Sequence, residues 1–322
     1  MTTFVLNLNY IRMRLEEIKD FLRNKQGYLK KSGVVLAERL FDNPTDKNVA
    51  DCYQALSEVK LEIREADMKP QEQGGKVLIY DIETSPNIGW FWRAGYKLNI
   101  SPENITKERA IICVSYKWLG EKEVYNLSWD KNQCDRFLIE QFIEVMNEAD
   151  LLVAHNGDRF DLKWIKTRAL KHGITTMLID YKSLDTLKLA KKKFNFNSNR
   201  LDYIAKYLGF EGKIKTSIGL WTDIVFKKDP QALKDMITYC DEDVRQLENV
   251  YCKLVGWEKP SFHAGVLEGK EKFSSPINGG YNLKLVKIQV TTAGTRKHII
   301  KDLDTDRMFE MNESNWKKYN NR

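Results

Sequence analysis

The sequence predicts an α/β protein: a mixed β-sheet flanked by helices, with a small helical domain before it and a β-hairpin module after it. Three observations support this fold class. Short apolar runs, typical of strands buried on both faces, alternate with helical patterns between residues 77 and 254. The first 68 residues show helical periodicity alone. Residues 283–303 alternate between apolar and polar around Ala293-Gly294, as a β-hairpin does.

The predicted helical domain spans residues 1–70. Apolar residues recur at helical spacing as far as Leu40, and Asp46 is positioned to begin a further helix. This succession resembles a helix-turn-helix, with the helix from Asp46 in the place that would enter DNA. Twelve basic and twelve acidic side chains cancel before residue 76, so DNA binding, protein contact and simple packing all stay open. Residues 71–75 are predicted to form a polar, glycine-containing linker.

The central domain is predicted to span residues 76–256. Strands are expected at residues 77–80, 111–118, 124–129 and 151–154, and helices at residues 134–148, 161–171, 185–193, 201–208 and 230–254. Pro230 suits the first turn of the long last helix. Early strands followed by helices and one late strand favour a mixed sheet covered by helices.

Acidic residues follow two of these strands. Asp81 and Glu83 lie two residues apart on an extended backbone, so their carboxylates project to one face of the sheet. A glycine-containing turn separates the strand at residues 151–154 from Asp161, which begins the next helix. This order places Asp161 at the end of the sheet, near the first two acids.

A third candidate element is the long helix. Tyr239 and Asp243 are one helical turn apart and share a face at about 6 Å, whereas Asp241 and Glu242 are expected to point elsewhere. Four carboxylates at one edge cannot all stay ionised unless cations neutralise them. Oxygen ligands suit Mg²⁺ or Mn²⁺, and two such ions about 3.5–4 Å apart clamp a phosphodiester. A tyrosine hydroxyl can orient the attacking water.

Together these stretches resemble the three motifs of the DEDD superfamily of 3′→5′ exonucleases, which share an RNase H-like fold. Asp81 and Glu83 in DIET match the first motif, Asp161 in HNGDRFD the second, and Tyr239 with Asp243 in YCDEDV the third. The histidine subclass carries its histidine where this chain has Thr238, so the tyrosine subclass (DEDDy) is indicated. Over residues 76–255 the chain most resembles the proofreading exonuclease domain of family B DNA polymerases and its stand-alone, often phage-encoded relatives.

The resemblance implies two Mg²⁺ or Mn²⁺ ions held by the four acids, with Tyr239 as a further catalytic residue. It also implies contacts to the 3′-terminal nucleotide, although Phe160 could equally pack. A lysine cluster at a helix end and a basic face of the hairpin would track phosphates, with a solvated surface as the alternative. The residues implied to bind substrate are Thr84, Asn156, Phe160, Lys191, Lys192 and Lys297.

The C-terminal module, residues 257–322, resembles the zinc ribbon that ends some stand-alone relatives, of the form C-P-x-C-G followed by C-x-x-C. Ser275-Pro276-Ile277-Asn278-Gly279 keeps the first outline with Ser and Asn in place of the cysteines, and Ile300-Lys301-Asp302-Leu303 lacks both later thiols. We therefore expect the hairpin to persist without structural zinc. The five cysteines of the chain form no C-x-x-C pair and are expected to be reduced.

Composition limits the classes of protein further. The 322 residues are 42% hydrophobic and 30% charged, which excludes collagen-like and disordered proteins. No stretch approaches 18 uncharged apolar residues and no basic segment opens the chain, so neither a membrane span nor a secretory signal is expected. The cytoplasm, a host's cytoplasm if the chain is phage-encoded, is the expected location. A net charge of +7 is compatible with a nucleic-acid partner.

The expected function is hydrolysis of DNA from its 3′ end, on single strands, with release of nucleoside 5′-monophosphates by a two-metal mechanism. Two alternatives stay open. RNase D-like enzymes carry the same five residues and process RNA 3′ ends. A nucleic-acid-binding accessory protein would keep the fold without relying on catalysis.

Overall fold

The structure is a computed structural model that describes residues 15–25, 31–41, 44–66, 75–93, 95, 99–174, 181–210 and 217–322. The chain divides into two compact units, Met1–Lys69 and Pro70–Arg322. The first residues of the predicted N-terminal helix (10–14) and residues 71–74 of the predicted linker lie outside the described ranges.

The first unit is helical where it is described. Residues 15–24 form α1, followed by α2 (Gly33–Leu40) and α3 (Asp46–Ala66). Leu22, Leu36 and Leu56 pack into one buried cluster because each helix carries its apolar residues on one face. The predicted helical pattern is confirmed over residues 15–24, 33–40 and 46–66, and its likeness to a helix-turn-helix stays a prediction.

The second unit contains a five-stranded mixed sheet. The strands up to residue 185 are β1 (Val77–Thr84), β2 (Ile88–Gly89), β3 (Ile105–Lys107), β4 (Ile111–Trp118), β5 (Tyr125–Ser128), β6 (Leu151–Ala154) and β7 (Ser183–Asp185). The sheet has the order β5-β4-β1-β6-β7, and β2 pairs with β3 in a separate short ribbon. Because β1 pairs antiparallel with β4 and parallel with β6, the predicted mixed sheet is confirmed.

Helices cover both faces of this sheet. They are α4 (Arg136–Asn147), α5 (Asp161–His172), α6 (Thr186–Lys193), α7 (Leu201–Tyr207), α8 (Ile218–Thr222), α9 (Pro230–Leu254) and α10 (Ala264–Leu267), with a π-helical turn at Asp223–Lys227. Tyr80 of β1 packs against Phe142 of α4 on one face, and Ile79 joins the cluster of Val250 from α9 on the other. None of the helices in the described ranges combines the length and apolar character needed to cross a bilayer.

Two differences from the predicted boundaries concern residues of the candidate site. β1 continues four residues beyond the apolar run at 77–80, so Asp81 and Glu83 lie within the strand, opposite Ser115 and Cys113 of β4. The pairing with β4 extends β1 where its own sequence turns polar. The helix expected from residue 185 begins at Thr186, because the preceding residues form the unpredicted strand β7.

The C-terminal part of the second unit is a three-stranded antiparallel sheet, which confirms the predicted hairpin and extends it. The hairpin is β8 (Leu283–Val290) with β9 (Arg296–Asp302), and β10 (Met308–Asn312) adds a third strand before α11 (Glu313–Asn320). Ile300, Phe309 and Met311 close a small core beneath it.

Two of the positions where a ribbon would carry zinc ligands, Ser275 and Asn278, form hydrogen bonds with other residues of the module. Ser275 Oγ donates to Asp302 Oδ2 at 2.5 Å, and both residues are buried. Asn278 Oδ1 accepts from Gly280 N–H at 2.8 Å. Ser275 and Asn278 offer oxygen atoms where the ribbon has thiolates, and the expectation of no structural zinc remains our prediction. Elemental analysis of the purified protein, finding one zinc per chain, would contradict it.

Candidate active site

Three carboxylates converge where β1 meets α9. Asp81 and Glu83 project from the same face of β1, and Asp243 comes from α9, which packs across β1 and β4. One oxygen from each of the three lies within 4.8 Å of the others. Asp243 is 4% exposed, whereas Asp81 and Glu83 are half-buried. Charges held this close in a partly dry site call for a cation.

The fourth carboxylate, Asp161, is delivered by a tight turn between β6 and α5. Gly157 is required in that turn, because a Cβ there would meet Ala154 Cβ at 2.5 Å. Asp161 is the first residue of α5 and is 2% exposed. Its carboxylate accepts a hydrogen bond from the backbone N–H of Ile82, the residue between Asp81 and Glu83. This bond links the acid of α5 directly to the two acids of β1.

The environment of Asp161 favours a bound cation. Burial raises its pKa to about 7, and the nearby carboxylate of Asp185 adds to the rise. Its Oδ1 is buried, and among the residues that the structure describes nothing hydrogen-bonds to it. An orphaned oxygen among three further carboxylates is a donor set of hard oxygen ligands, which fits Mg²⁺ or Mn²⁺. The residues present therefore fit the divalent metal site expected from the sequence.

Tyr239 lines the same cleft from α9. Asp229 caps this helix by accepting from Gln231 N–H at 2.8 Å, and Pro230 occupies the first turn. The ring of Tyr239 packs with Met236 in a buried cluster and is 8% exposed. Its position one turn before Asp243 brings a phenol hydroxyl and a carboxylate to the same side of the cleft.

The cleft has a volume of about 920 Å³ and contains most of the predicted site. The four acids and Tyr239 line it together with three of the predicted substrate residues, Asn156, Phe160 and Lys191. The lining also includes two cations from around α7, Arg200 and Lys206, and both form ion pairs with Asp202, which lines the cleft too.

Three predicted substrate residues lie elsewhere. Thr84 lines a smaller neighbouring cavity of about 370 Å³ with Arg109 and Trp221. Lys192 pairs with Glu258 at 3.2 Å. Lys297, on β9, pairs with Glu310 at 3.2 Å. Phe194 and Phe196, which follow the lysine cluster, pack against each other at 5.4 Å and join the core beside α9.

Sequence reasoning missed Arg200, Lys206 and Asp185. Arg200 and Lys206 flank the start and the end of α7, and no motif distinguishes them from other surface cations. Asp185 had a detectable signal, since an Asp directly before a helical pattern is a capping residue. Asp241, expected to point away, accepts a hydrogen bond from Ser115 Oγ at 2.6 Å.

We expect the metal-free protein to lose stability as the pH rises from about 4 to 7. The folded state holds the Asp161 proton up to a pKa of about 7, above the ordinary 3.8, so the stabilisation is complete below pH 4 and is lost as the pH approaches 7. The loss is about 4 kcal/mol at most. Thermal unfolding in EDTA across this range should show the slope, and Asp161→Asn should remove it.

Divalent metal should reverse that loss at neutral pH, because it binds the folded, ionised site. Mg²⁺ or Mn²⁺ is therefore expected to raise the midpoint of unfolding at pH 7 in the wild-type protein only. An equal rise in Asp161→Asn would mean that the ion acts elsewhere on the chain.

Comparisons with known proteins relate part of this chain to a protein family and to several DNA polymerases. Residues 103–255 match the family model RNase_H_2 of the RNase_H superfamily. DNA polymerases of Thermococcus aggregans and Thermococcus litoralis are each 24% identical over 202 residues, or 53% of this chain. The chain spans only 10% and 11% of the length of these relatives. A solved family B DNA polymerase from Pyrobaculum calidifontis is 17% identical with a TM-score of 0.45, covering 57% of this chain and 25% of that one.

Proposed function

We propose that this chain, which contains an RNase H-like domain homologous to the exonuclease region of family B DNA polymerases, is a metal-dependent 3′→5′ exonuclease. One observation carries the proposal: four carboxylates and a tyrosine line one cleft together with the cations Lys191, Arg200 and Lys206. A phosphodiester entering this cleft would meet these side chains and, once the acids hold metal, the bound ions as well.

The acids would hold the metal ions. Asp81, Glu83 and Asp243 offer the clustered oxygens, and Asp161 offers its buried Oδ1, to which none of the described residues donates a hydrogen bond. When bound, two divalent ions supply Lewis-acid stabilisation of the attacking and leaving oxygens. The protein's own share is to fix these ligands on a strand and two helices, where they cost no rearrangement during the reaction.

Tyr239 would orient the attacking water. Its hydroxyl lies on the cleft wall beside Asp243, while its ring is held by the buried cluster around Met236. A phenol with a pKa near 10 donates or accepts a hydrogen bond at neutral pH without becoming charged. It therefore positions a water without competing with the carboxylates for metal.

The substrate would be a single strand of DNA with its 3′ end in the cleft. Asn156 and Phe160, next to the acids, suit the terminal nucleotide, and Lys191, Arg200 and Lys206 suit the phosphates behind it. Thr84, Lys192 and Lys297 lie outside the cleft. We propose that they contact the part of a longer DNA strand that extends beyond the cleft.

A 5′-labelled oligonucleotide tests the proposal. With Mg²⁺ or Mn²⁺ we expect a ladder that shortens from the 3′ end, faster on single-stranded DNA than on duplex. Matched DNA and RNA strands separate the DNA enzyme from an RNA 3′-end processing enzyme. Binding without any cleavage of either strand would instead favour the accessory-protein alternative.

Tyr239→Phe should lower kcat roughly 10- to 100-fold and leave KM unchanged, because only the water-orienting hydroxyl is lost. The ring stays, so the buried cluster and the fold should be preserved. Tyr251→Phe is the matched control: Tyr251 is buried on the same helix, away from the cleft lining, and its substitution should leave kcat as it is. A Tyr239→Phe variant with wild-type kcat would remove the tyrosine from the mechanism.

A further inference from the structure

Asp185 is a buried acid outside the cleft lining. Its carboxylate accepts a hydrogen bond from Asn156, which lines the cleft where the substrate would lie. We propose that Asp185 is a positioning residue, which holds the turn carrying Asn156 and thereby sets the substrate side of the cleft. The proposal rests on the proposed function, in which Asn156 contacts the terminal nucleotide. Its physical basis is a single carboxylate oxygen shared between two elements.

Asp185 ends β7, opposite Ala154 of β6, and is 5% exposed. Its Oδ1 accepts a hydrogen bond from Asn156 N–H at 2.9 Å. The same oxygen accepts from Leu187 N–H at 3.0 Å and Lys188 N–H at 3.3 Å, which caps α6. One atom therefore ties the turn after β6 to the first turn of α6.

The turn needs this support because Asn156 has φ 72°, in the left-handed region. Asparagine tolerates that conformation better than most residues, although it carries a cost. The carbonyl of Asn156 in turn accepts from Arg159 N–H at 3.2 Å and Phe160 N–H at 3.0 Å. The placement of Asn156 thus sets the path of the chain into α5 and Asp161.

The other partner of Asp185, α6, also lines the cleft. Leu187 and Lys191 are lining residues, so capping α6 fixes the wall that faces Asn156. A neighbouring bond reinforces the link: His155 Nδ1 lies 2.9 Å from Thr186 Oγ1. Asp185 consequently helps to set the distance between two substrate-facing elements that diverge just after the last pair of β6 and β7, Ala154 with Asp185.

The second oxygen of Asp185 argues that the first one is needed. Oδ2 is buried, and within the described ranges no group hydrogen-bonds to it. Burying a carboxylate with an unsatisfied oxygen costs free energy. An apolar residue at this position would therefore make the fold more stable, unless the hydrogen bonds to Oδ1 are needed. Its negative charge strengthens the three bonds that Oδ1 accepts.

Steady-state kinetics separate positioning from folding. Asp185→Ala should raise KM roughly 5- to 150-fold, because the buried N–H of Asn156 loses its acceptor and the turn is no longer held in place. Asp185→Asn keeps an oxygen acceptor and should restore KM towards the wild-type value. A loss of folded protein alone would lower the apparent kcat and leave KM unchanged, which would overturn the proposal.

Asn312→Ala is the matched control, since it removes the cap of α11, a helix that contributes no residue to the cleft lining. We expect its KM to equal that of the wild type. A double-mutant cycle then tests the route through Asn156: in the Asn156→Gly background, which keeps the left-handed backbone without the side chain, Asp185→Ala should raise KM far less. An equal rise in both backgrounds would show that Asp185 does not act through Asn156.

Amide hydrogen exchange decides the matter independently of activity. Asp185→Ala should speed exchange across residues 155–160, and Asp185→Asn should not. If the wild-type protein cleaves neither DNA nor RNA, the proposed function fails, but this measurement still tests whether Asp185 holds the turn. Unchanged exchange in Asp185→Ala would overturn the positioning role whatever the activity.

Discussion

Asp161→Asn should abolish hydrolysis, lowering kcat by at least about 10³-fold, which corresponds to about 4 kcal/mol of transition-state stabilisation. The amide that replaces the carboxylate is neutral and supplies a poorer ligand to a divalent ion. The same change should stabilise the metal-free protein at pH 7, because it removes a carboxyl whose burial raises its pKa to about 7. Opposite effects on activity and stability would mark Asp161 as a functional residue.

The matched control is Glu242→Gln. Glu242 lies on α9 one residue before Asp243, and it pairs with Arg245 at 2.6 Å on the surface. Its substitution removes one negative charge near the site without touching the cleft lining. We expect kcat within about twofold of the wild type, since exposed pairs contribute little. Equal losses in both variants would mean that general charge, and not ligation, controls the rate.

Asp135→Ala should destabilise the protein by about 3–5 kcal/mol, because it leaves the buried guanidinium of Arg168 without its partner. Asp135 is fully buried and accepts hydrogen bonds of 2.7 Å from Arg168 Nε and 2.9 Å from Ile111 N–H. His172 Nε2 lies 2.7 Å from the same carboxylate. The network joins the start of α4 and the edge of β4 to α5, the helix that carries Asp161.

The pKa of Asp135 gives this prediction a pH dependence. Burial alone would raise it, but the hydrogen bonds from Arg168, Ile111 and His172 hold it below the ordinary value of 3.8. The stabilisation is therefore present above pH 4 and is lost as the pH falls through the lowered pKa. Urea unfolding at pH 7 and in acid should show the variant and the wild type converging at low pH.

Glu140→Ala serves as the control for this pair. Glu140 and Arg136 form an exposed bridge of 3.0 Å one turn apart on α4. Its loss should cost no more than about 0.5 kcal/mol. A cost for Asp135→Ala as small as that of Glu140→Ala would contradict the role given to the buried network.

Much of the fold is readable from local patterns. The continuous apolar run at Leu151–Ala154 and the Pro-initiated pattern of Pro230–Leu254 coincide with β6 and α9, because burial and capping are written in a few adjacent residues. The superfamily resemblance is confirmed as well. Short elements were not predicted from the sequence. β7 has only three residues, and β10 forms because the edge of β9 is open to pairing.

The candidate site also has residues that local sequence patterns predict and residues that they do not. Strand ends and helical spacing predict a site of five residues, and the structure gathers them in one cleft: Asp81, Glu83, Asp161, Tyr239 and Asp243. Arg200 and Lys206 carry no local signal, since only the packing of α7 beside α9 brings them to the cleft. Lys192 was indistinguishable from Lys191 in sequence, and one residue of helical rotation takes it to Glu258.

Digestion of a 5′-labelled single strand with a free or a blocked 3′ end, by wild type and Asp161→Asn, tests the central claim most directly. With Mg²⁺ the wild-type enzyme should shorten only the free strand, one nucleotide at a time, and release nucleoside 5′-monophosphates. Asp161→Asn should leave both strands intact. Equal cutting of free and blocked strands, or full activity of Asp161→Asn, would contradict a 3′→5′ exonuclease centred on these four acids.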